Sequence, residues 1–459
     1  MNQKLSSGFK SRFALAELGF MTLRSMADFF LLFFCTDVAG INPAIAGSAL
    51  LLGKLTWDAI NDPLFGYWSD RTRSRFGRRR IYMLIAAVPL AIATWVQFSL
   101  PHGMTGVQAF LAVLFAFWLK DTCVTLAIVP YYALAPEVTR DYQERSSLAL
   151  YRSVGSVIGY MLGAAGIPLV VGLFQGTGLS LQGAWSTTAG AYGLLAAAMV
   201  LTTALTIKEK PELAGEPSKI PPFKAILTCF KNRPFVLLML VFIMSTFAFT
   251  VQAALFPYLI QYQLKMSSQS SIILIIPLLA TAAFIFPAKL LSDKINKAPA
   301  YALGLFIVAA TFIVTFFFMP NHPTSLIYII AVMLGIGFSA HWVIPYAILP
   351  DVIEYDEKMT GERREGIYYG MNNFLLKFSA ALGIAVPGWA LNWFGYVPNA
   401  VQTEHALFGI RLFYAIIPAA AVLICLPILL RYPITRKSHA ALTQELADRK
   451  KQASELPEA

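Results

Sequence analysis

The chain has 459 residues, of which 57% are hydrophobic and only 13% charged, about half the charged share of a soluble domain. Its net charge of +11 would suit a nucleic-acid partner if it formed one patch. The basic residues instead lie in short stretches between apolar runs, so nucleic acid is excluded and an all-α membrane protein is the expected class.

Twelve spans are predicted, near residues 14–36, 42–68, 81–100, 107–135, 148–174, 184–207, 234–262, 268–292, 299–319, 325–350, 367–395 and 407–430. Such runs suffice to cross a hydrocarbon core about 30 Å thick. The N-terminus lacks a compact signal-peptide pattern, so the first span is expected to stay in the mature protein. Residues 208–233 are polar, Pro-rich and basic, and separate the spans into two sets of six. The expected organisation is an N-terminal bundle (1–207), a cytoplasmic linker (208–233), a C-terminal bundle (234–431) and a cytoplasmic tail (432–459). The tail reads as a solvated helix without chemistry of its own. Residues 71–80 include six arginines, and 289–297 and 352–366 also carry Lys and Arg, whereas 101–106, 173–183 and 320–324 carry almost none. The positive-inside rule then puts both termini in the cytoplasm. Cys35, Cys123, Cys229 and Cys425 lie far apart without ligand spacing and are expected to be buried and free.

Two acids stand where lipid opposes them. Asp58 and Asp62 are four residues apart in the second span and so share a helix face. A charge at mid-bilayer costs several kcal/mol and usually faces an aqueous cavity or a partner. With Asn61 beside them, the carboxylates form an oxygen-rich pocket suited to a small cation, which points to a transporter driven by Na+ or H+. Arg24 and Asp28, four apart in the first span, read either as a mutual ion pair or as substrate-binding groups, Arg24 meeting an anion. Asp121, in the fourth span, is a candidate substrate acid. Lys54 is placed to neutralise Asp58, and His341 is either a proton carrier or a hydrogen-bonded structural residue.

The two halves echo each other. GYWSDRTRSRFGRRR after the second span resembles AKLLSDKINK after the eighth, with Asp70 and Asp293 in matching places. Pro136-Glu137 after the fourth span matches Pro350-Asp351 at the end of the tenth. Two six-helix halves in parallel repeat are the plan of the major facilitator superfamily, with the substrate site at the midplane. In that plan Asp70, Arg71 and Asp293 are candidate gating residues, pairing across the cytoplasmic face.

The run WDAINDPLFGYWSDRTRSRFGRRR (57–80), with TDVAG (36–40), ERSSLALYR (144–152) and PDVIEYDE (350–357), resembles the glycoside–pentoside–hexuronide:cation symporters, the melibiose-permease family. The resemblance covers nearly the whole chain. It implies that Thr125 joins Asp58, Asn61 and Asp62 at the coupling-cation site, with Na+ held at Asp58 and Asp62. It also implies that Lys377 responds to the cation's charge, and that Tyr132, Arg152, Trp342 and Asn373 face the substrate. The family's two sugar-gripping acids are matched here by Met21 and Ile128, which cannot grip a hydroxyl as a carboxylate does.

The expected function is cation-coupled symport of a sugar, glycoside or hexuronide by alternating access, with Na+ favoured because Asn61 and Thr125 add neutral oxygens. A related branch of the family carries lysolipids, and the loss of the two acids would suit such an amphiphile. No H-E-x-x-H or G-x-S-x-G motif is present, so an enzyme is not expected. No cofactor is expected beyond the coupling ion, and the partners are a small-molecule substrate, that cation and the bilayer. A monomer in a bacterial inner membrane is the expected setting.

Overall fold

A computed structural model of the protein describes residues 5–139, 141–207, 209, 229–318, 326–362 and 364–455. The expected linker therefore lies largely outside the described residues. Helix α1 is Ser7–Val38 and α2 is residues 43–71. They are followed by α3 (Arg80–Gln97), α4 (Gly106–Val138), α5 (Tyr142–Gly176) and α6 (Leu181–Thr206). After the linker come α7 (Arg233–Gln263), α8 (Ser270–Ile295), α9 (Lys297–Phe318), α10 (Leu326–Thr360), α11 (Glu365–Trp393), α12 (Glu404–Leu430) and α13 (Arg436–Glu455).

Local chemistry sets the helix starts. Ser6 accepts from the Phe9 N–H, Asp141 from Glu144 (2.9 Å), Ser180 from Gly183 (3.1 Å) and Thr403 from Ala406, each meeting a donor the first turn leaves unpaired. Asn42 caps α2, with Pro43 at its first position. Eleven helices among the described residues are long and apolar enough to cross a membrane. Helix α2 is continuous and long enough to cross at 1.5 Å per residue, but its polar residues set it apart from those eleven. All four cysteines are buried and free.

The chain forms two compact units. One comprises α1 to α6 with residues 250–275 and 381–413; the other comprises α7 up to residue 249, residues 276–380 and the chain from 414. In the first unit, α5 presents Gly155, Gly159 and Gly163 to α1. A Cβ at Gly155 would stand 2.8 Å from the Ala14 carbonyl oxygen, one at Gly159 2.2 Å from that of Leu18, and one at Gly163 2.2 Å from that of Thr22. Only hydrogen at these positions lets the two backbones touch, as small residues do at membrane helix crossings. Thr203 of α6 clamps the same helix, donating to the Arg12 carbonyl (2.7 Å) and accepting from the Ala16 N–H (3.0 Å).

The repeat seen in the sequence acquires a physical role. Arg78 and Arg79, at the start of α3, both reach Glu137 near the end of α4 (2.5 and 2.8 Å). Glu209 accepts from the backbone N–H groups of Arg78, Arg79 and Arg80 (2.7, 2.9 and 2.6 Å), placing an anion at the N-terminus of α3. In the second unit Lys297, at the start of α9, pairs with Asp351 of α10 (2.7 Å). Each half thus ties the start of its third helix to the acid of its Pro-acid pair.

The tail forms the expected helix, α13, largely exposed but with one face packed on α10. Leu442 and Leu446, four apart on one face, are buried. His439 meets Glu354 (2.9 Å), Lys358 meets Glu445 (2.6 Å), and Arg436 donates to the Asp293 carbonyl (3.1 Å).

Gly159→Ala should lower the melting temperature in detergent, because overpacking at such a contact costs roughly 1–3 kcal/mol. Gly172→Ala, on the same helix with nothing within 4 Å of its Cβ position, should leave it unchanged.

Candidate functional site

Helix α2 contains one π turn, Lys54–Asp58, just before Asp62 and Pro63. A π turn adds a residue to the turn and re-aims the side chains beyond it, a feature frequent at functional sites. Here it ends on Asp58, which is buried. The α2–α4 contact is close: a Cβ at Gly53 would stand 2.6 Å from the Phe117 ring, and the Trp57 indole N–H donates to Thr122 (2.7 Å). Asn61 is fully buried. Its amide N–H donates to the Asp121 carboxylate (3.1 Å), while its carbonyl oxygen is buried without a hydrogen-bond partner. Thr125, one turn beyond Asp121 on α4, is also buried, and Asp62 is half-buried.

An unmet buried acceptor costs about 1–3 kcal/mol, so the Asn61 oxygen favours a site that gains a positive partner. Among the described residues no three His, Cys, Asp or Glu side chains are gathered into a resident metal site. Asp58, Asn61 and Asp62 of α2 and Asp121 and Thr125 of α4 supply carboxylate, amide and hydroxyl oxygens, a donor chemistry that suits an alkali cation. Asp121, expected as a substrate acid, accepts from the Asn61 amide across the α2–α4 contact.

The second cluster centres on an acid that the sequence pattern did not single out. Glu17, on α1 and 5% exposed, accepts from Arg152 of α5 (3.1 Å) and from the Tyr132 hydroxyl of α4 (3.2 Å). The Arg152 guanidinium lies 5.2 and 4.7 Å from the Tyr131 and Tyr132 ring centroids. Spacing on α1 held the clue: Glu17 is one turn before Met21 and two turns before Arg24, hence on their face. Arg24 stands 3.6 Å from Asp28, and its side chain is 59% exposed although it lies mid-helix. The Tyr160 hydroxyl of α5 donates to Asp28 (3.4 Å). Two guanidiniums, two carboxylates and three tyrosines therefore contribute from α1, α4 and α5.

In the second unit Trp342 of α10 is partly exposed and meets Phe249 edge-on (6.0 Å between centroids). His341 is structural: it shares a hydrogen bond with the Tyr301 hydroxyl (3.1 Å), which in turn bonds Ser245 (2.7 Å). Asn373 is exposed and Lys377 half-buried, four apart on one face of α11. Of the expected gating residues, Arg71 lies over the Tyr67 ring (3.6 Å to its centroid) and Asp293 pairs within α8 with Lys289 (2.9 Å). The Asp70 side chain lies outside the described residues. The ion pairs of Glu137 and Asp351 were not foreseen, although their Pro-acid repeats had been seen.

Residues 12–436 match the family of MFS/sugar transport proteins, members of the major facilitator superfamily. The chain belongs to that family. This MFS transporter is 30% identical to the uncharacterized symporter YnaJ of Bacillus subtilis strain 168, over 98% of its own length and 96% of that protein's. It is 26% identical to the glucuronide carrier protein homolog of Escherichia coli strain K12, over 99% of each. The crystal structure of the nucleoside transporter NupG has the same fold, with a TM-score of 0.63 at 15% identity, over 93% of this chain and 100% of that one. The resemblance to the glycoside–pentoside–hexuronide symporters is thereby upheld, and the protein is a membrane transporter of a sugar-carrying family rather than an enzyme.

Glu17→Gln and Arg152→Gln should each destabilise the transporter by roughly 1–3 kcal/mol, since each strands a buried partner. The double variant should lose less than the sum, as read by a thermal-unfolding cycle in detergent.

Proposed function

We propose that the protein is a twelve-helix secondary active transporter, both termini cytoplasmic, that couples inward movement of an acidic sugar or glycoside to Na+ or H+ by alternating access. The observation that carries the substrate class is Arg24, a mid-membrane guanidinium exposed beside the Glu17–Arg152–Tyr132 cluster. A charged side chain at that depth faces an aqueous cavity, where a guanidinium already paired with Asp28 can take a second, anionic group. Phenols and carboxylates beside it suit sugar hydroxyls, and the named glucuronide carrier among its relatives supports the same reading.

The coupling cation binds first, at Asp58, Asn61, Asp62, Asp121 and Thr125. It neutralises the carboxylates and gives the Asn61 oxygen a positive partner. Sodium is favoured over a proton because neutral oxygens complete the set. The solute then binds Arg24, Arg152 and Tyr132 of the first unit. Trp342 and Asn373 keep the substrate role, and Lys377 the coupling role, that the family resemblance implies. The membrane potential contributes ~2.3 kcal/mol per charge per 100 mV. Asp70, Arg71 and Asp293 act at the cytoplasmic gate. The protein works as a monomer in a bacterial inner membrane, without a cofactor.

Proteoliposomes with an inward Na+ gradient should accumulate a glucuronide well above a K+ control, and a neutral glycoside far less. Accumulation of a lysophospholipid alone would overturn the substrate class. Accumulation driven by a pH gradient without Na+ would assign the proton as the coupling ion. Asp58→Asn should abolish gradient-driven accumulation while insertion stays normal. Arg24→Ala should raise the KM for the glucuronide about tenfold, in keeping with a loss of about 1.5–3 kcal/mol for a charged hydrogen bond.

A further inference from the structure

A third polar cluster lies in the first unit, at the end of α1 remote from the arginine-rich loop. Asp37 sits in the π turn Phe34–Val38 that closes α1, and it is 2% exposed. Its carboxylate accepts from the hydroxyls of Thr36 (2.6 Å), Tyr396 (2.6 Å) and Tyr262. Its backbone carbonyl accepts from the Asn399 side chain (2.7 Å), and the Asn399 N–H donates to the Tyr262 hydroxyl (3.0 Å). Tyr262 lies in Leu259–Gln263, the π turn that closes α7, and Tyr396 and Asn399 follow α11. Three separate chain segments thus close around one acid.

None of the described lysines, arginines or histidines forms an ion pair with Asp37, so hydroxyl donors alone compensate its burial. A buried carboxylate is tolerated only when its lone pairs are met, and here they are met only while α1, α7 and the segment after α11 stay together. Burial first, and the Asp37 carboxylate second, hold the Tyr396 phenol well above its ordinary range, so it remains a donor. An aromatic layer continues inward: Tyr258 stands 5.4 Å from both Phe33 and Tyr396, and Phe29 lies 6.2 Å from Phe256. The two π turns fall at matching places, α1 and α7 being the first helices of the two sets of six. Neither the cation set nor the Glu17 cluster uses any of these residues.

We propose that Asp37 is the centre of an outer latch, whose hydroxyl donors hold the ends of α1, α7 and α11 closed and must part before solute exchanges on that side. The inference rests on the alternating-access reading. Its test, however, reads opening without substrate or gradient, so failure of the latch and failure of the transport reading are separable.

Phe29→Cys would be introduced as the single thiol, with the four native cysteines replaced by alanine. A membrane-impermeant maleimide would then be applied from outside the cell. With the latch intact, labelling should be slow. Tyr396→Phe, which keeps the ring and removes one donor, should speed it about threefold, and Tyr262→Phe with Tyr396→Phe at least tenfold. Asp37→Asn, which weakens all three hydroxyl contacts, should match the double variant. Monodisperse size-exclusion profiles would show that the phenylalanine variants are folded. Unchanged labelling in folded variants would overturn the latch. So would faster labelling that does not grow with the number of donors removed.

Discussion

A charge inside a bilayer must be matched, and that constraint organises this transporter. Each of its polar clusters is a local solution to it. Glu17 is matched by a guanidinium and a phenol, Asp37 by hydroxyls alone, and the cation set by an arrangement that leaves the Asn61 oxygen unmet. The first two are complete as they stand. The third leaves the Asn61 carbonyl oxygen without a partner inside the protein, the feature on which the proposed cation site rests. A fully satisfied polar network rigidifies a structure, whereas one open acceptor makes its state depend on what arrives.

Close approach of helices makes these solutions possible. The glycines of α5 bring its backbone against α1, so that Arg152 and Tyr160 reach Glu17 and Asp28 across that contact. With larger residues at Gly159 or Gly163 the helices would stand apart and the same side chains would fall short. Packing and chemistry are thus one arrangement in this unit. The π turns add a second device. By widening one turn in α1, α2 and α7, they place Asp37, Asp58 and Tyr262 where a regular helix would not.

The arginine-rich loop and its counterpart in the second half show how a repeat is read as physics. Arg78 and Arg79 with Glu137, and Lys297 with Asp351, are two versions of one tie between the third and fourth helices of a half. The segment after α6 brings Glu209 to this tie in the first unit, and the segment after α12 brings His439 to it in the second. Asp70, Arg71 and Asp293 stand out in the sequence because they are conspicuous charges. The acids beside Pro136 and Pro350 are less conspicuous, yet they make the ion pairs.

Much of this was legible in the chain itself. Apolar length marks membrane helices without reference to neighbours, because lipid acts on each span separately. The spacing of Asp58, Asn61 and Asp62 marks a shared face, because helix periodicity is local. The family motifs carry the same local information. The partner of Asp121, the pairing of Glu17 with Arg152 and the assembly around Asp37 were not legible. Each joins residues more than 50 positions apart, and in the Asp37 set more than 350. Docking of the tail through Leu442 and Leu446 likewise required the face of α10 that receives them. Periodicity assigns a side chain to a face, but only the packing of helices decides what that face meets.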